Sequence, residues 1–371
     1  MKGDINKFMQ WPYYSKEETN IASAVIRSNK VNYWTGNKGK TFEREFSILT
    51  GAKYSLTMAN GTLALESALI ALSIKINDEV IVTPRSYIAS ASCIFRVGAK
   101  PVFVDVEEST GNIDPDEIEK NINNKTRAII CVHLAGLPCN IKKLNKIAKK
   151  YKLFLIEDCS QAHGALYRGK SVGTFGDIGA WSFCQDKIIS TGGEGGMLTT
   201  NNKKIFEKVF AFRDHGKSYF ELSKKTKKNQ YRWIHDDYGS NLRMTEVQSA
   251  LGSYQIKKLE RWRNIRKRNA LEIRKVFREF PDLIRVDDIP SHVTHAWYRC
   301  YVHVKDKSIK GGWNREKILG ALNKIDVPCF VGACPELYLE KNFIHFSKKK
   351  MNRLPNAKKL GETSLAFLTH P

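Results

Sequence analysis

The sequence contains no long apolar run, and this absence excludes membrane-spanning proteins. Its longest apolar stretches have the length of short strands or amphipathic helices, whereas a membrane-spanning helix needs about 20 apolar residues. The first residues, Met1–Phe8, lack the apolar core of a signal peptide. We therefore expect a cytoplasmic protein that makes no membrane contact.

The sequence also lacks paired cysteines. Its eight cysteines are scattered, with no two separated by only two residues. Several lie in apolar, strand-like runs, as Cys131 and Cys159 do. This distribution predicts free, buried thiols. Because neither cysteines nor histidines cluster along the chain, we expect no metal site.

Acidic residues are scarce, with 38 of them against 61 lysines and arginines and a net charge of +23. The lysines fall mostly on the outer faces of predicted helices, as in residues 143–152. No basic stripe alternates with aromatic residues, and no recognition motif is present, so the charge does not predict a nucleic-acid interface. A positive field would favour a small substrate that carries phosphate.

Strands and helices alternate from about residue 50 to 215. Short β-rich apolar segments occupy residues 78–84, 101–106, 128–134 and 153–160, and helical segments lie between them. Such alternation predicts an α/β fold with a mainly parallel, doubly wound sheet. Ligands of these sheets bind beyond the carboxyl ends of the strands.

A second region of the chain begins after a predicted helix N-terminus at Thr245. Thr245 and Gln248 form a T-x-x-Q capping box before a helical run that extends to about Phe280 and bridges to a smaller domain. Residues from about 285 onward have α+β character. We therefore predict an N-terminal arm and large domain over residues 1–245, and a bridging helix with a small domain over residues 246–371.

The segment Ala59–Leu69 places a Gly-Thr pair at the start of an apolar helix. A helix N-terminus offers unpaired N–H groups and the positive end of the dipole, which suit a phosphate group. Gly61 permits close approach of the backbone, and the Thr62 hydroxyl can donate a hydrogen bond. An ordinary helix cap explains the same pattern.

Asp158 lies at the carboxyl end of a predicted buried strand. A buried carboxylate needs a cationic partner or several hydrogen-bond donors, and a protonated pyridine nitrogen would serve. Gln161, three residues later, could reach the same ligand. The alternative is an aspartate that caps a loop.

Lys187 lies in the run Trp181–Thr200, between an apolar strand and a turn with four glycines. A desolvated lysine has a lowered pKa and becomes an amine nucleophile that can form a Schiff base. Ser182 could face the same pocket and donate to a phosphate. A single lysine is otherwise an ordinary surface residue. Asn241 and Arg243 precede the capped helix and, taken alone, indicate no function.

The order of these motifs resembles the DegT/DnrJ/EryC1/StrS family of sugar aminotransferases, whose fold is the aspartate aminotransferase-like fold type I of enzymes that use pyridoxal 5'-phosphate (PLP). The resemblance covers essentially the whole chain, and residues 176–197 are highly specific for the family. It is carried by the segments YWTGNKGKTFEREFSILTG, ANGTLAL, IEDCSQAHGA, GDIGAWSFCQDKIISTGGEGGM and GSNLRMTEVQ. Members usually continue past the LTHP-like segment with a final helix, so either the sequence is truncated at Pro371 or its small domain lacks that helix.

The resemblance implies a role for each motif. Lys187 is the lysine that binds PLP as a Schiff base, Asp158 pairs with the pyridine nitrogen, and Gln161 contacts the ring hydroxyl. The phosphate is held by Gly61, Thr62 and Ser182.

Three further positions complete the implied site. Tyr87 takes the place of the aromatic residue that stacks on the ring. Asn241 resembles the residue that reaches the phosphate from the neighbouring subunit, which implies a homodimer with shared active sites. Arg243 faces a substrate carboxylate.

The implied reaction moves an amino group from L-glutamate to a nucleotide-linked keto sugar. Family dehydratases carry histidine in place of this lysine, so Lys187 favours transamination. The expected acceptor is a dTDP-4-keto-6-deoxyhexose, giving a 4-amino-4,6-dideoxy sugar for lipopolysaccharide or another surface glycan. A 3-keto sugar, a GDP- or UDP-linked acceptor, a catalytically silent binding protein and a nucleic-acid-binding protein are the alternatives.

Overall fold

The structure, a computed structural model, describes residues 11–224, 231–305, 311–347 and 352–371. The first ten residues of the predicted N-terminal arm therefore lie outside the described residues. The helices are α1 (Lys16–Arg27), α2 (Lys38–Thr50), α3 (Gly61–Ala71), α4 (Ala89–Arg96), α5 (Pro115–Lys120), α6 (Ile141–Tyr151), α7 (Lys203–Arg213), α8 (Tyr219–Ser223), α9 (Glu246–Ile256), α10 (Leu259–Arg278), α11 (Arg315–Lys324), α12 (Lys341–Ser347) and α13 (Pro355–Thr363). The strands are β1 (Tyr54–Met58), β2 (Glu79–Val82), β3 (Lys100–Phe103), β4 (Thr126–Val132), β5 (Phe154–Asp158), β6 (Leu166–Tyr167), β7 (Lys170–Ser171), β8 (Ile178–Ser182), β9 (Gly196–Thr200), β10 (Ile284–Arg285), β11 (Val293–Thr294), β12 (Arg299–Val304), β13 (Cys329–Phe330) and β14 (Ser364–Leu368).

The larger sheet has seven strands in the order β1-β9-β8-β5-β4-β2-β3. Strands β3, β2, β4, β5 and β8 run parallel, and β9 runs antiparallel to both of its neighbours. This confirms the predicted mainly parallel sheet and all four strands predicted within it.

The central strands are apolar on both faces because helices cover both sides of the sheet. Ala128 and Ile130 of β4 pack in the cluster that contains α3 and α4. Ile129 and Cys131 of the same strand pack on the other side, against α6. The period-two alternation of β4 therefore distributes its side chains between two hydrophobic layers.

Strands β2, β4, β5 and β8 are parallel, so their carboxyl ends meet at one edge of the sheet. Strands β3 and β4 lie on opposite sides of β2, so the direction in which successive strands are added to the sheet reverses between β2 and β4. Such an edge is where sheets of this kind bind ligands. Tyr87 and Lys187 lie in the loops after β2 and β8, and Asp158 is the last residue of β5.

A second sheet, with the antiparallel order β10-β12-β14-β13, lies in the C-terminal part of the chain. Its strand β12 begins beside the loop that follows β4, where Tyr298 N donates to Ala135 O at 2.9 Å. The loop after β13 reaches the other side of the same edge, where Ser86 N donates to Cys334 O at 3.1 Å. These contacts bring the second sheet over the carboxyl edge of the first.

The single long helix predicted from Thr245 to about Phe280 is wrong, because two helices occupy this region. Thr245 does cap α9, and the capping box with Gln248 is present. At Lys257 and Lys258 the backbone N–H groups bond three residues back, to Tyr254 O and Gln255 O. This tightened turn separates α9 from α10. The domain boundary at residue 245 stays a prediction.

All eight cysteines lie in the described part of the chain and are free thiols, six of them buried. No helix among the described residues combines the length and the apolar character that crossing a membrane requires.

Candidate active site

Two adjoining cavities lie at the carboxyl edge of the large sheet. The inner cavity, of about 360 Å³, is lined by the loops that follow β1, β2, β5 and β8. The outer cavity, of about 480 Å³, lies between the β2 loop and the second sheet. The two cavities share five lining residues, Ser86, Tyr87, Gln161, Asp186 and Lys187. Lys187 therefore faces both spaces.

Lys187 lies in the loop between β8 and β9, and its backbone N–H and carbonyl groups both make hydrogen bonds. Its N–H donates to Cys184 O at 3.0 Å, and its carbonyl accepts from Trp11 Nε1 at 2.8 Å. The glycine-rich turn closes the loop, where Gln185 N donates to Gly193 O at 2.9 Å. Gly193 has φ +119°, a conformation that only glycine adopts readily. The glycines are thus needed to return the chain to β9.

The Lys187 side chain is only 15% exposed, and its amine lies beside side-chain oxygen atoms of the protein. Its Nζ is 3.2 Å from Asp186 Oδ1 and 3.4 Å from Tyr298 Oη. Burial alone would lower the pKa of Lys187, but Tyr298 and the Asp186 carboxylate outweigh burial and raise it. The expectation of a lowered pKa is therefore wrong for the cofactor-free chain, since it left out the neighbouring carboxylate.

Asp158 ends β5 and is almost fully buried. Its Oδ2 accepts from Ser90 Oγ at 2.7 Å, and its Oδ1 accepts from Ser160 N at 3.1 Å. Within the described ranges, no cationic side chain lies at ion-pair distance from this carboxylate. A buried carboxylate without a cation is costly, so this site is suited to a cationic ligand atom.

The preceding residue, Glu157, is also a buried carboxylate but has a complete set of protein partners. Its oxygens accept from His133 Nε2 at 3.1 Å and from the backbone N–H groups of Gly173, Phe175 and Gly176 at 2.7–2.8 Å. Glu157 therefore anchors the loop before β8. Asp158 points to the opposite side of the sheet edge and lines the inner cavity.

His133, Glu157 and Cys159 converge in the fold although they are not clustered in the sequence. One ligand atom from each lies within 4.8 Å of the other two. Because Glu157 already accepts four hydrogen bonds, we assign these side chains a role in holding the loop.

Gln161 is held by its amide oxygen, which accepts from Ala135 N at 2.7 Å. This bond leaves the amide nitrogen to donate to a bound group. Gln161 lines the inner cavity together with Asp158, so the structure brings these two predicted residues together.

The start of α3 lies against the end of β8. A Cβ atom on Gly61 would lie 2.6 Å from Ser182 Cβ, so only glycine permits this approach. Gly61, Thr62 and Ser182 all line the inner cavity. The first N–H groups of a helix have no intrahelical partner, and the Asn60 side chain already accepts from Leu63 N. These groups form a cradle for an anion.

Tyr87 lies at the mouth of the site, lines both cavities and is 68% exposed. An exposed aromatic ring above a polar cavity is available to stack on a planar ligand.

Asn241 and Arg243 do not line either cavity of their own chain. Asn241 is exposed and pairs with Asp214 through a backbone bridge. The Arg243 guanidinium is ion-paired with Asp214, which is buried and also binds Lys217. The intervening Leu242 O accepts from Ala59 N at 2.8 Å, so this segment runs beside the start of α3.

Three residues of the site were not predicted from the sequence. Asp186 is adjacent to Lys187, and an acid next to a candidate amine was a signal that could have identified it. Tyr298 and Arg299 lie 111 and 112 positions after Lys187, and only the fold brings β12 to the cavity. Arg299 stacks on Tyr298, with its guanidinium carbon 4.6 Å from the ring centroid.

The chain is similar to known proteins along most of its length. Residues 12–371 match the DegT/DnrJ/EryC1/StrS aminotransferase family. The crystal structure of an aminotransferase from Psychrobacter cryohalolentis superposes with a TM-score of 0.96 at 47% identity, covering 98% of this chain and 94% of that one. GDP-perosamine synthase of Escherichia coli O157:H7 is 38% identical over 77% of this chain and 76% of its own length. The dTDP-3-amino-3,6-dideoxy-alpha-D-galactopyranose transaminase of Aneurinibacillus thermoaerophilus is 38% identical over 79% and 77%.

Proposed function

Because this chain belongs to the DegT/DnrJ/EryC1/StrS aminotransferase family, we propose that it transfers an amino group from L-glutamate to a keto sugar linked to a nucleotide. The observation that carries the proposal is the position of Lys187. Its amine lies where the inner cavity, which we assign to the cofactor, opens into the outer cavity, which has room for a substrate.

The predicted family, the predicted fold type I and the predicted PLP-dependent aminotransferase are confirmed by the family match and the structural neighbours. The individual residue roles stay predictions, and the structure supplies physical support for several of them.

The inner cavity fits PLP on three separate grounds. Asp158 is a buried carboxylate that lacks a cation, Gly61 and Ser182 leave a cradle at the start of a helix, and Gln161 has an amide nitrogen to donate. When bound there, PLP supplies an electron sink that stabilises negative charge on the carbon bearing the amino group.

Each protein group has a defined task in this scheme. Asp158 stabilises a positive charge on the pyridine nitrogen, since an ionised carboxylate favours the protonated ring. Gln161 donates to the ring hydroxyl. Gly61, Thr62 and Ser182 donate to the phosphate, which the N-terminal end of α3 also attracts. Tyr87 covers the ring.

The Lys187 amine would hold the cofactor, and the same amine would move a proton at the reacting carbon of the bound amino compound. A general base must reach the proton that it takes, and Lys187 lines both cavities. Donor and acceptor must each place their reacting carbon beside this one amine. They therefore occupy the outer cavity in turn, which implies ping-pong kinetics.

Arg299 is better placed than Arg243 to receive a substrate anion. Arg299 lines the outer cavity, and in the described part of the chain no acidic side chain lies at ion-pair distance from it. Arg243 is already engaged by the buried Asp214. We therefore assign the carboxylate of the amino donor to Arg299, because guanidinium groups bind carboxylates in a bidentate manner.

The acceptor that we propose is a dTDP-4-keto-6-deoxyhexose, giving a 4-amino-4,6-dideoxy sugar for a surface glycan such as lipopolysaccharide. Support for a nucleotide-linked sugar comes from the relatives, whose names include a GDP-linked and a dTDP-linked sugar. The net charge of +23 suits a diphosphate. The cytoplasmic location and the downstream glycan stay predictions.

The proposed functional unit is a homodimer in which each chain completes the site of the other. Asn241 lines neither cavity of its own chain but lies on an exposed segment. Trp233 and Tyr238 on this segment are 85% and 95% exposed. Exposed aromatic side chains of this size favour a protein interface.

The test is to offer dTDP-4-keto-6-deoxyglucose and its 3-keto isomer separately to the PLP-loaded protein with L-glutamate, and to detect the amino sugar by mass spectrometry. We expect amination of the 4-keto sugar, and no product with the Lys187→Ala variant. Amination of the 3-keto isomer alone would overturn the ring position. If neither compound is aminated, GDP- and UDP-linked keto sugars are tested next. If the protein binds PLP without forming a chromophore, or binds none, it is a catalytically silent member of the family.

A further inference from the structure

We propose that Asp186 and Tyr298 are positioning residues that keep the Lys187 amine charged and oriented until a carbonyl compound enters the inner cavity. The inference rests on the role of Lys187 in the proposed function, but it concerns only the protein's own side chains.

The three groups form a closed triangle at the junction of the two cavities. Lys187 Nζ lies 3.2 Å from Asp186 Oδ1 and 3.4 Å from Tyr298 Oη. The Tyr298 hydroxyl donates to the other oxygen of Asp186, and the Lys187 amine lies 5.0 Å from the centroid of the Tyr298 ring. Each member therefore contacts the other two, and these contacts hold the amine at the junction of the cavities.

Tyr298 is the rigid member of this triangle. It is buried, and its N–H donates to Ala135 O at 2.9 Å, which ties it to the loop after β4. Arg299 also packs on this ring, with its guanidinium carbon 4.6 Å from the centroid. Burial and the neighbouring Asp186 raise the pKa of Tyr298, so it remains a neutral phenol that donates a hydrogen bond. Tyr298 thereby fixes the Asp186 side chain, which is 49% exposed and would otherwise be mobile.

Asp186 is the carboxylate closest to the Lys187 amine. The charge of Arg299 favours the ionised form of Asp186, and burial together with the same charge lowers the pKa of Arg266 to about 9. Burial lowers the pKa of His163 to about 3, so this neighbour is neutral. Lys187 and Tyr298 act against burial and lower the pKa of Asp186, which keeps it ionised.

The remaining titratable groups lie on the walls of the inner cavity. Asp158, Cys184 and Glu194 line it with Lys187, and none of the three makes an ion pair with the amine among the described residues. Asp186 and Tyr298 are therefore the groups whose removal would change the charge of the amine most.

The arrangement has a chemical consequence. A charged amine cannot attack a carbonyl group, and only the neutral form is a nucleophile. The Asp186–Tyr298 pair would make capture of the cofactor slow near neutral pH and faster at higher pH. The same pair would hold the amine in place after it has been displaced during turnover.

The experiment measures the protonation of Lys187 directly in the cofactor-free protein. The protein is treated with a small, limiting amount of acetic anhydride at a series of pH values, and acetylation of each lysine is quantified by peptide mass spectrometry. Lys203, an exposed lysine on α7, is the internal reference. The variants are Asp186→Asn, Tyr298→Phe and Asp186→Glu, and the matched control is Asp116→Asn, which removes an exposed partner of Lys143 outside both cavities.

In the unmodified chain we expect Lys187 to reach half of its maximal reactivity at a higher pH than Lys203. Asp186→Asn should lower this midpoint by about one pH unit or more, because burial then acts without its opposing carboxylate. Tyr298→Phe should lower the midpoint less. Asp186→Glu should keep the midpoint close to that of the unmodified chain, and Asp116→Asn should leave it unchanged.

Midpoints that stay unchanged in both Asp186→Asn and Tyr298→Phe would overturn the proposal. Thermal unfolding of each variant shows whether the fold is retained, and Asp186→Glu separates loss of charge from loss of packing. Because acetylation needs neither PLP nor a sugar, its outcome is independent of whether the proposed acceptor is correct.

Discussion

The inner and outer cavities are built in different ways from the same chain. The inner cavity is lined by short motifs at the ends of neighbouring strands, such as Gly61–Thr62 and Asp158–Gln161. The outer cavity takes Tyr298, Arg299 and Tyr301 from β12 and the segment before it, far along the chain. The groups that we propose to hold the cofactor lie where the sheet topology requires them, whereas the groups that we propose to select a substrate come from β12 and the segment before it.

This difference predicts separable effects of mutation. Changes in the inner cavity should alter cofactor chemistry with either substrate, and changes in the outer cavity should alter the affinity for one substrate while cofactor binding is kept. Asp158→Asn and Arg299→Gln test this separation directly, because each residue lines only one of the two cavities.

The largest effect is expected for Asp158→Asn in the inner cavity. The amide nearly keeps the shape of the carboxylate but cannot stabilise a charged pyridine nitrogen, so kcat should fall by about 10²- to 10³-fold. The affinity for PLP, measured by titration of the cofactor-free protein, should change much less. Near-normal turnover would mean that Asp158 is not the partner of the ring nitrogen.

Glu157→Gln is the matched change one residue earlier and should affect stability instead. It replaces a fully buried carboxylate that accepts from His133 and three backbone N–H groups, so the free energy of unfolding should fall by about 3 kcal/mol. Burial alone would raise the pKa of Glu157, but these donors lower it. The contribution of Glu157 to the free energy of unfolding is therefore fully present above the ordinary carboxyl pKa, and it is lost as the pH falls through the lowered pKa. Chemical denaturation at two pH values measures both effects, and a variant as stable as the parent would contradict this role.

Arg299→Gln tests the outer cavity. Loss of a charged hydrogen bond to the donor carboxylate should raise KM for L-glutamate about tenfold or more. The affinity for PLP should remain the same, because Arg299 does not line the inner cavity. A rise in KM for the nucleotide sugar alone would instead assign Arg299 to the diphosphate. Arg243→Gln is the comparison variant, because Arg243 is already ion-paired with Asp214.

The smallest effect concerns the proposed homodimer. Two inactive chains, Lys187→Ala and Asn241→Ala, are co-expressed, and mixed dimers should contain one intact site. With random pairing about a quarter of the sites are intact, so about a quarter of the parental activity should return. An active monomer in sedimentation, or no recovery in mixed dimers, would argue against a site completed by Asn241.

The sequence predicted the large sheet well because short continuous apolar runs that alternate with helical segments leave few arrangements. Strands β2 to β5 and the cap at Thr245 follow from such local patterns. The division of the following helix at Lys257 has no proline or glycine to signal it. The raised pKa of Lys187 depends on Tyr298, whose approach is set by a hydrogen bond to Ala135. Such contacts between distant parts of the chain cannot be derived from spacing.

The central claim is that Lys187 is the lysine that binds PLP. The most direct measurement is borohydride reduction of the PLP-loaded protein, which fixes the cofactor covalently to the lysine that holds it, followed by peptide mapping with mass spectrometry. We expect one pyridoxyl group on the peptide that contains Lys187, and none in the Lys187→Ala variant. A pyridoxyl group on another lysine of the unmodified protein would contradict the account.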